Sequence, residues 1–287
     1  MTAAQRLRKV LAEPGIEIMP GRFDAISAKL VADAGFRVMF MSGFAVSARL
    51  GLPDTGLISF AEMLDTLRNC CSAARDVPVI GDGDTGYGNA INVQRTVIEY
   101  ARAGAAAVMI EDQVSPKKCG HTRGKQVITR DEARMKICAA VDAKRGVDIL
   151  ILARTDARAV HGFDEALARC RDFEAEGADI FFLEAPENEA EMTRFCEAMQ
   201  KPCMANMVPG GKTPVLPPKE LQQISYKLAL YPVALLTSAI TAMQTTLVAL
   251  SPESGKSLPP SISFAELQKV VGFPDYWTKE TKYQVGD

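Results

Sequence analysis

The segment from Glu111 to Lys125 combines a thiol with acidic and cationic side chains. It reads E-D-Q-V-S-P-K-K-C-G-H-T-R-G-K and follows the apolar run at 106–110. Nearby cations such as Lys117 and His121 lower the pKa of a thiol and favour thiolate at neutral pH. We therefore interpret Cys119 as a proton donor carried on a loop over a metal-bound anion. The alternative is an ordinary cysteine in a solvated, lysine-rich loop.

Polar side chains also end successive apolar runs along the chain. They are Ser42, Asp82, Asp84, Glu111, Arg154, Asp156, Glu184 and Asn206. If the runs are strands of a parallel barrel, these ends meet at its catalytic mouth. Carboxylates gathered there repel one another unless a proton or a cation neutralises them. Oxygen ligands favour Mg²⁺, with Mn²⁺ possible. Zinc is disfavoured because the chain has two histidines. Any single carboxylate could equally serve in a structural ion pair.

Two glycine-rich stretches match phosphate-binding motifs and are rejected. The first, G-D-G-D-T-G at 81–86, has the dinucleotide-binding spacing, but Asp82 and Asp84 would repel a pyrophosphate. The second, G-G-K-T at 210–213, lacks the first glycine of a phosphate loop. We expect Lys212 and Thr213 to bind a substrate carboxylate or to shape the rim of the site.

The elements that must position these residues alternate between short apolar runs and amphipathic helix patterns. Eight predicted strands lie at 16–21, 38–43, 78–84, 106–110, 149–156, 179–186, 202–207 and 227–232. Nearly continuous apolar runs are typical of parallel strands buried on both faces. Eight such units in 287 residues predict a single α/β domain, a (β/α)₈ barrel of the TIM type. The helical segment at 263–277 lies outside the units, and an extension at 251–287 is expected to pack on a partner subunit.

Composition limits the possible partners. The net charge of −2 gives no reason to expect nucleic acid or membrane binding. Seven cysteines without C-x-x-C spacing suggest reduced thiols and a cytoplasmic protein. The N-terminus has no apolar signal region. The apolar stretch at 233–250 contains hydroxyl side chains and a glutamine, so we interpret it as a buried or interface helix.

Several motifs together resemble the isocitrate lyase / phosphoenolpyruvate mutase superfamily. They are D-G-D-T-G-Y-G at 82–88, E-D-Q-V-x-P-K-K-C-G-H at 111–121, A-R-T-D-A-R at 153–158, F-L-E-A-P at 182–186 and A-N-M-V-x-G-G-K-T-P at 205–214. The resemblance runs from about residue 15 to 250. It is closest to the 2,3-dimethylmalate lyase and petal death protein group, the 2-methylisocitrate lyases and carboxyphosphonoenolpyruvate phosphonomutase.

The resemblance implies a Mg²⁺-dependent barrel, commonly a homotetramer (a dimer of dimers) whose C-terminal helix is exchanged between subunits. Its lyases cleave a 2-hydroxy acid by retro-aldol chemistry and release a 2-oxo acid such as pyruvate. Carried over by motif, the metal ligands are Asp82 directly and Asp54, Asp84 and Glu111 through water. The resemblance also implies that Cys119 is the general acid and that Arg154 lies at the developing carbonyl. Ser42 and Gly43 would bind the oxo-acid carboxylate. The second carboxylate would be bound by Lys117, His121, Glu184 and Asn206, and the residues around the substrate would be Phe44, Gly120, Lys212 and Thr213.

Departures from the family pattern bear on the substrate. Phe44 and Ala45 stand where methylisocitrate lyases have a run of glycines. A phenyl ring there would narrow the mouth, which favours a 2-alkylmalate over the three-carboxylate 2-methylisocitrate. The loop at 114–128 is expected to close over the substrate so that water cannot protonate the carbanion. Phosphonomutase chemistry, and hydrolysis or decarboxylation of oxaloacetate, remain alternatives. A scaffold without catalysis is the remaining possibility, and it would be indifferent to metal.

Overall fold

The computed structural model describes residues 1–119 and 124–285 of the chain. The chain divides into two compact units, Met1–Leu235 and Leu236–Asp287. The first unit contains every strand of the described residues. An extension that starts at residue 251 remains a prediction.

The first unit is a parallel barrel. Its strands are β1 (Glu17–Arg22), β2 (Met39–Met41), β3 (Val79–Asp82), β4 (Ala107–Glu111), β5 (Leu150–Thr155), β6 (Ile180–Leu183), β7 (Met204–Asn206) and β8 (Leu228–Tyr231). All neighbours pair in parallel, in the order β6-β5-β4-β3-β2-β1-β8-β7. A parallel bridge between Phe181 and Cys203 joins the two ends of this order. The eight strands and alternating helices confirm the predicted (β/α)₈ barrel.

Helices follow the strands and surround them. They are α1 (Ala3–Ala12), α2 (Ala25–Asp33), α3 (Gly43–Arg49), α4 (Phe60–Ala73), α5 (Ala90–Arg102), α6 (Arg130–Lys144), α7 (Arg158–His161), α8 (Phe163–Ala175), α9 (Glu189–Ala198) and α10 (Pro218–Gln223). The predicted capping box at the start of α4 is present, because Ser59 accepts from the backbone of Glu62 and Glu62 accepts in return.

Sequence patterns missed α1, α3 and α7. Thr2 and Gln5 form a capping box at the start of α1. The buried Ala4 and Leu7 of that helix pack in the same cluster as the side chains inside the barrel, so α1 belongs to the core. The stretch after Gly43, expected to be a loop, forms α3. His161, expected in a loop, ends the short helix α7.

The core has two layers, which alternate along each strand. Residues such as Phe40, Ile80 and Leu152 pack inside the barrel. Their neighbours, including Ile151, face the helices. A strand places successive side chains on opposite faces, so the same alternation decides which residues past the strand ends face the mouth.

Arg22 at the end of β1 is the exception in the helix-facing layer. Its side chain is fully buried, and none of its three guanidinium nitrogens has a hydrogen-bond partner among the described residues. Burial lowers the pKa of Arg22, opposed by the nearby thiols of Cys70 and Cys71 and the carboxylate of Asp24. A buried guanidinium with so little compensation is a penalty on folding.

We therefore expect Arg22→Met to increase the free energy of unfolding by about 1–4 kcal/mol, since similar replacements of buried ionic groups by apolar ones are often stabilising by that amount. Urea denaturation followed by circular dichroism measures the change. Arg68→Met on the exposed face of α4 is the control and should change stability by less than about 0.5 kcal/mol. A loss of stability in Arg22→Met would contradict the expectation.

The second unit contains most of α11 (Ala234–Leu250), then α12 (Phe264–Val271) and α13 (Phe273–Tyr283). The segment expected to be helical at 263–277 thus forms two helices that meet at Gly272, which has a φ of 97°. Apolar side chains of α12 and α13 are exposed, namely Phe264, Leu267, Val271, Phe273, Tyr276 and Trp277. In the described part of the chain, no helix has the length and apolar character needed to cross a membrane.

Candidate active site

Strand alternation brings the polar strand-end residues to the mouth of the barrel. In β5, Leu152 packs inside the barrel and Arg154 follows two residues later. The same step of two leads to the other mouth residues. It runs from Phe40 to Ser42, Ile80 to Asp82, Met109 to Glu111, Phe182 to Glu184 and Met204 to Asn206. Each of these polar residues is buried, so the mouth is lined by charged and neutral polar side chains with little exposure to water.

Asp82, at the end of β3, lies on one side of the mouth together with Asp54 and Asp84, and we call this the acidic side. The Asp82 carboxylate accepts backbone N–H groups from Gly43 and Asp84, both at 3.0 Å. A Cβ at position 43 would lie 2.7 Å from Asp82 Oδ2, so a larger residue there would displace this carboxylate. Burial and the neighbouring Asp84 raise the pKa of Asp82 to about 6, although Lys117 and Arg154 oppose this effect. Asp84 itself has a φ of +48°, a strained conformation for a residue with a side chain.

Lys117, from the segment that precedes Cys119, neutralises this acidic side. Its ammonium lies 2.7 Å from Asp54 Oδ1 and 2.7 Å from Asp84 Oδ1. Burial alone would lower the pKa of Lys117, but Asp84, Asp82 and Glu111 outweigh it and hold that pKa well above its usual range. The sequence analysis predicted that Lys117 orients a carboxylate of the substrate. In the structure it contacts Asp54 and Asp84, two of the carboxylates predicted to bind the metal.

Arg154 occupies the centre of the other side. Its guanidinium lies 3.3 Å from Glu111 Oε2, 3.2 Å from Glu184 Oε2 and donates at 2.8 Å to Asp156 Oδ2. Asn206 donates to the same Glu184 oxygen at 3.3 Å. Burial raises the pKa of Glu111 well above its usual range, although Arg154 opposes this effect. A cation shared by three carboxylates holds all of them in fixed positions.

The carboxylates fit a hydrated magnesium ion. Asp84 Oδ1 and Glu111 Oε2 are buried and lack hydrogen-bond partners in the described residues, although cationic groups lie at ion-pair distance. Mg²⁺ takes oxygen ligands and usually keeps several waters, so it needs only one or two direct carboxylates. In the described part of the chain, no three carboxylate, thiol or imidazole groups converge as direct ligands. The assignment of Asp82 as direct ligand, with water-mediated contacts to Asp54, Asp84 and Glu111, stays a prediction.

The segment that carries Cys119 is fastened at both of its ends. Lys125 donates to Asp156 Oδ1 at 2.7 Å, and both side chains are almost fully buried. Near its base, Val114 and Gln126 pair through a backbone hydrogen bond of 2.9 Å. Cys119 is half-buried, and none of the seven cysteines forms a disulfide. Gly120 and His121 lie outside the described residues.

The remaining predicted residues line the rim. Ser42 is the N-cap of α3 and accepts from the backbone of Ala45 at 3.4 Å. The ring of Phe44, in the first turn of that helix, is 40% exposed, so it is available to contact a ligand. Thr213 is buried with an unpartnered hydroxyl in the described structure, whereas Lys212 is exposed.

Three polar residues near the site make contacts that the sequence patterns did not predict. Asp112 faces the helices and accepts from Thr155 Oγ1 at 2.6 Å and from Arg169 at 3.0 Å, which makes it structural. Alternation along β4 could have shown this, because Asp112 follows the mouth-facing Glu111. Asp156, already noted at a strand end, joins Arg154 to Lys125. Gln113 is 1% exposed and has no sequence signal beyond its place beside the carboxylates.

Comparison with known proteins finds the same architecture and sequence pattern elsewhere. The family model described as phosphoenolpyruvate phosphomutase matches residues 7–251. The chain is 41% identical to 2,3-dimethylmalate lyase of Eubacterium barkeri over 289 residues, which covers all of both chains. It is 40% identical to the chloroplastic carboxyvinyl-carboxyphosphonate phosphorylmutase of Arabidopsis thaliana, over 97% of this chain and 84% of that protein.

Solved structures of proteins with related activities superimpose on nearly the whole chain. Oxaloacetate acetylhydrolase in complex with 3,3-difluorooxalacetate superimposes with a TM-score of 0.93 and 33% identity, over 98% of this chain and 97% of that one. Phosphonopyruvate hydrolase in complex with oxalate and Mg²⁺ superimposes with a TM-score of 0.86 and 28% identity, over 99% of each chain. These neighbours act on different compounds, so the similarity by itself leaves the substrate open.

Proposed function

Because the chain belongs to the phosphoenolpyruvate phosphomutase family, within the isocitrate lyase / phosphoenolpyruvate mutase superfamily, we propose that it is a Mg²⁺-dependent lyase of a 2-alkylmalate-type acid. It is an enzyme, and its named relatives support carbon–carbon lyase chemistry. The proposed substrate is a 2-hydroxy dicarboxylic acid, with 2-methylisocitrate as the second choice. The products would be a 2-oxo acid such as pyruvate and a second carboxylate.

One observation carries the proposal: buried carboxylates and a shared arginine line the mouth, and Lys117, two residues before Cys119, contacts Asp54 and Asp84. Bound Mg²⁺ would lower the pKa of the substrate hydroxyl and stabilise charge while the carbon–carbon bond breaks. Asp82 would hold the ion, with Asp54, Asp84 and Glu111 contacting it through water. Once a base has removed the hydroxyl proton, retro-aldol cleavage would break the carbon–carbon bond, leaving an oxo acid and a carbanion stabilised by its own carboxylate.

The protein side chains would divide the remaining work. Arg154, already fixed by its ion pairs with Glu111, Asp156 and Glu184, would donate to the developing carbonyl oxygen. Ser42 and the backbone at Gly43 would bind the oxo-acid carboxylate. The thiol of Cys119 would transfer its proton to the carbanion as general acid.

The second carboxylate of the substrate would meet another group of side chains. We assign Lys117, His121, Glu184 and Asn206 to it, with Gly120, Lys212 and Thr213 around the substrate. Lys117 could serve this role only by leaving its present contacts with Asp54 and Asp84. A metal ion would compete for those carboxylates and so favour that exchange.

The main alternatives are phosphonomutase chemistry and hydrolysis of oxaloacetate. The first is the activity in the name of the Arabidopsis thaliana relative, and the second is the activity in the name of the oxaloacetate acetylhydrolase structure. A thiol acid in the loop favours the lyase, because a lyase must protonate a carbanion. Phe44 favours a smaller acid than 2-methylisocitrate, because its exposed ring stands at the rim.

The test is release of pyruvate, coupled to lactate dehydrogenase, from 2,3-dimethylmalate and from 2-methylisocitrate. We expect release with Mg²⁺, none after EDTA, and a higher kcat/KM for 2,3-dimethylmalate. Oxaloacetate and carboxyphosphonoenolpyruvate, assayed in parallel, distinguish the alternatives. Folded, Mg²⁺-supplied protein that releases no pyruvate from either acid would contradict the proposal.

We further propose a homotetramer in the cytosol. The exposed aromatic and aliphatic side chains of α12 and α13 support association with other subunits. Seven cysteines without a disulfide support a reducing compartment.

A further inference from the structure

The side chain of Gln113 contacts both Glu111, at the mouth of the barrel, and Lys118, in the segment that carries Cys119. Its Nε2 donates to Glu111 Oε1 at 3.0 Å and to the carbonyl of Lys118 at 2.8 Å. Its Oε1 accepts from the backbone N–H of Lys118 at 3.0 Å. One buried amide therefore joins an acidic group of the mouth to the residue that precedes Cys119.

The geometry uses the whole hydrogen-bonding capacity that distinguishes glutamine. An amide offers two donor hydrogens and an acceptor oxygen, and here each is used. The pair of bonds to Lys118 fixes the backbone immediately before Cys119. The third bond fixes Glu111 Oε1 and so leaves Oε2 for Arg154, 3.3 Å away.

We infer that Gln113 is a positioning residue that couples the carboxylate side of the site to the Cys119 segment, so that the acid and the metal ligand are held by one side chain. This inference rests on the proposed function. Gln113 acts through its side-chain hydrogen bonds with Glu111 and Lys118. Outer partners that orient metal ligands commonly affect metal affinity or activity by about 10- to 100-fold.

Other residues at position 113 cannot replace this arrangement. Glutamate keeps the acceptor for Lys118 but has no donor for Glu111 or for the Lys118 carbonyl, and its charge would face Glu111. Methionine matches the length and forms none of the bonds. Gln126, in the same antiparallel pairing of the segment, provides the matched control, because its side chain is exposed.

The test compares Gln113→Met, Gln113→Glu and Gln126→Met in the full-length protein. The first readout is the rate at which iodoacetamide alkylates Cys119 in the ligand-free protein, followed by peptide mass spectrometry. Gln113→Met loses both bonds to Lys118 and Gln113→Glu loses the bond to its carbonyl, so this rate should rise about tenfold in Gln113→Met and by a smaller factor in Gln113→Glu. The second readout is Mg²⁺ affinity by calorimetry, which should fall about 10-fold or more. Gln126→Met should match the wild type in both.

Kinetics supply the third readout, with kcat expected to fall about 10- to 100-fold and KM to change less. Wild-type alkylation of Cys119 and wild-type Mg²⁺ affinity in the Gln113 variants would overturn the inference, whatever the turnover. If Gln113→Met does not fold by circular dichroism, Gln113→Glu, closer in shape, decides by the same measurements. Failure of the proposed function would instead show in the wild type, as absent pyruvate release, while the alkylation comparison would still decide the role of Gln113.

Discussion

Serine in place of Cys119 is expected to reduce kcat for carbon–carbon cleavage by about 10²- to 10⁴-fold, the usual contribution of a general acid. A hydroxyl is a far weaker acid than a thiol, so it cannot deliver a proton as the carbanion forms. The side chain is nearly isosteric and half-buried, so we expect substrate binding and folding to change little. KM should therefore remain within a few-fold of the wild type.

The measurement is pyruvate release under saturating Mg²⁺, together with a thermal melt of each variant. Cys138→Ser is the control, since that half-buried thiol lies on α6 and has no predicted role in the site. We expect it to retain wild-type kcat. Full activity in Cys119→Ser would require another acid at the mouth and would contradict the assignment. Equal losses in both serine variants would indicate a general effect on folding.

The positions of the mouth residues could be predicted because strands repeat every two residues. Asp82, Glu111 and Arg154 each follow an inward-facing core residue by two positions, and a barrel collects such positions at one end. The amino-acid sequence therefore predicts which residues lie together at the mouth of the barrel. It does not predict how they pair. Arg154 could have been assigned to Glu111, Asp156 or Glu184 alone, yet the structure has it contact all three.

The contacts of Lys117 and Gln113 could not be predicted for a different physical reason. Lys117 reaches Asp54 and Asp84, which come from other parts of the chain. Gln113 pairs with a backbone N–H and carbonyl, groups that every residue carries. Nothing in residue type identifies which backbone will be opposite. Such contacts depend on the path of the segment, which sequence periodicity does not describe.

The helices that the sequence analysis missed, α1 and α3, begin at local signals that could have revealed them. Thr2 and Gln5 give α1 a recognisable start, and its buried Leu7 belongs to the core inside the barrel. Ser42 was considered only as a ligand-binding residue, although its hydroxyl also caps α3. One residue can serve both purposes, because an N-cap fixes the backbone N–H groups that follow it. The break at Gly272 was visible as a glycine between two helical patterns.

Asparagine in place of Asp82 is expected to abolish Mg²⁺ binding and, with it, activity. The change removes the carboxylate charge that would hold the ion, while its volume stays the same. Mg²⁺ present at 100 times its Kd stabilises a folded protein by about 2.7 kcal/mol, which appears as a rise in Tm. We expect that rise in the wild type and none in Asp82→Asn.

Metal-free stability should change little in Asp82→Asn, because two effects oppose each other. The folded-state pKa of Asp82 is raised by burial to about 6, so its contribution to stability is present below the unfolded pKa of about 3.9 and is lost as pH rises through 6. At pH 7.5 the ionised group therefore destabilises the fold by roughly 3 kcal/mol, and asparagine removes that penalty. Asparagine also leaves one of the N–H donors from Gly43 and Asp84 without an acceptor, at about 1–3 kcal/mol.

Thermal melts with Mg²⁺ and with EDTA measure both parts of this expectation. Asp148→Asn is the control, since that carboxylate binds Arg8 at the surface, outside the mouth, and its Mg²⁺-induced rise should equal that of the wild type. A full Mg²⁺-induced rise in Asp82→Asn would show that the ion binds elsewhere and would remove Asp82 from the ligand set. A large fall in metal-free Tm would show instead that the lost acceptor outweighs the relieved charge. Retention of Mg²⁺-dependent pyruvate release would contradict the assignment by a second route, because activity and metal binding should disappear together.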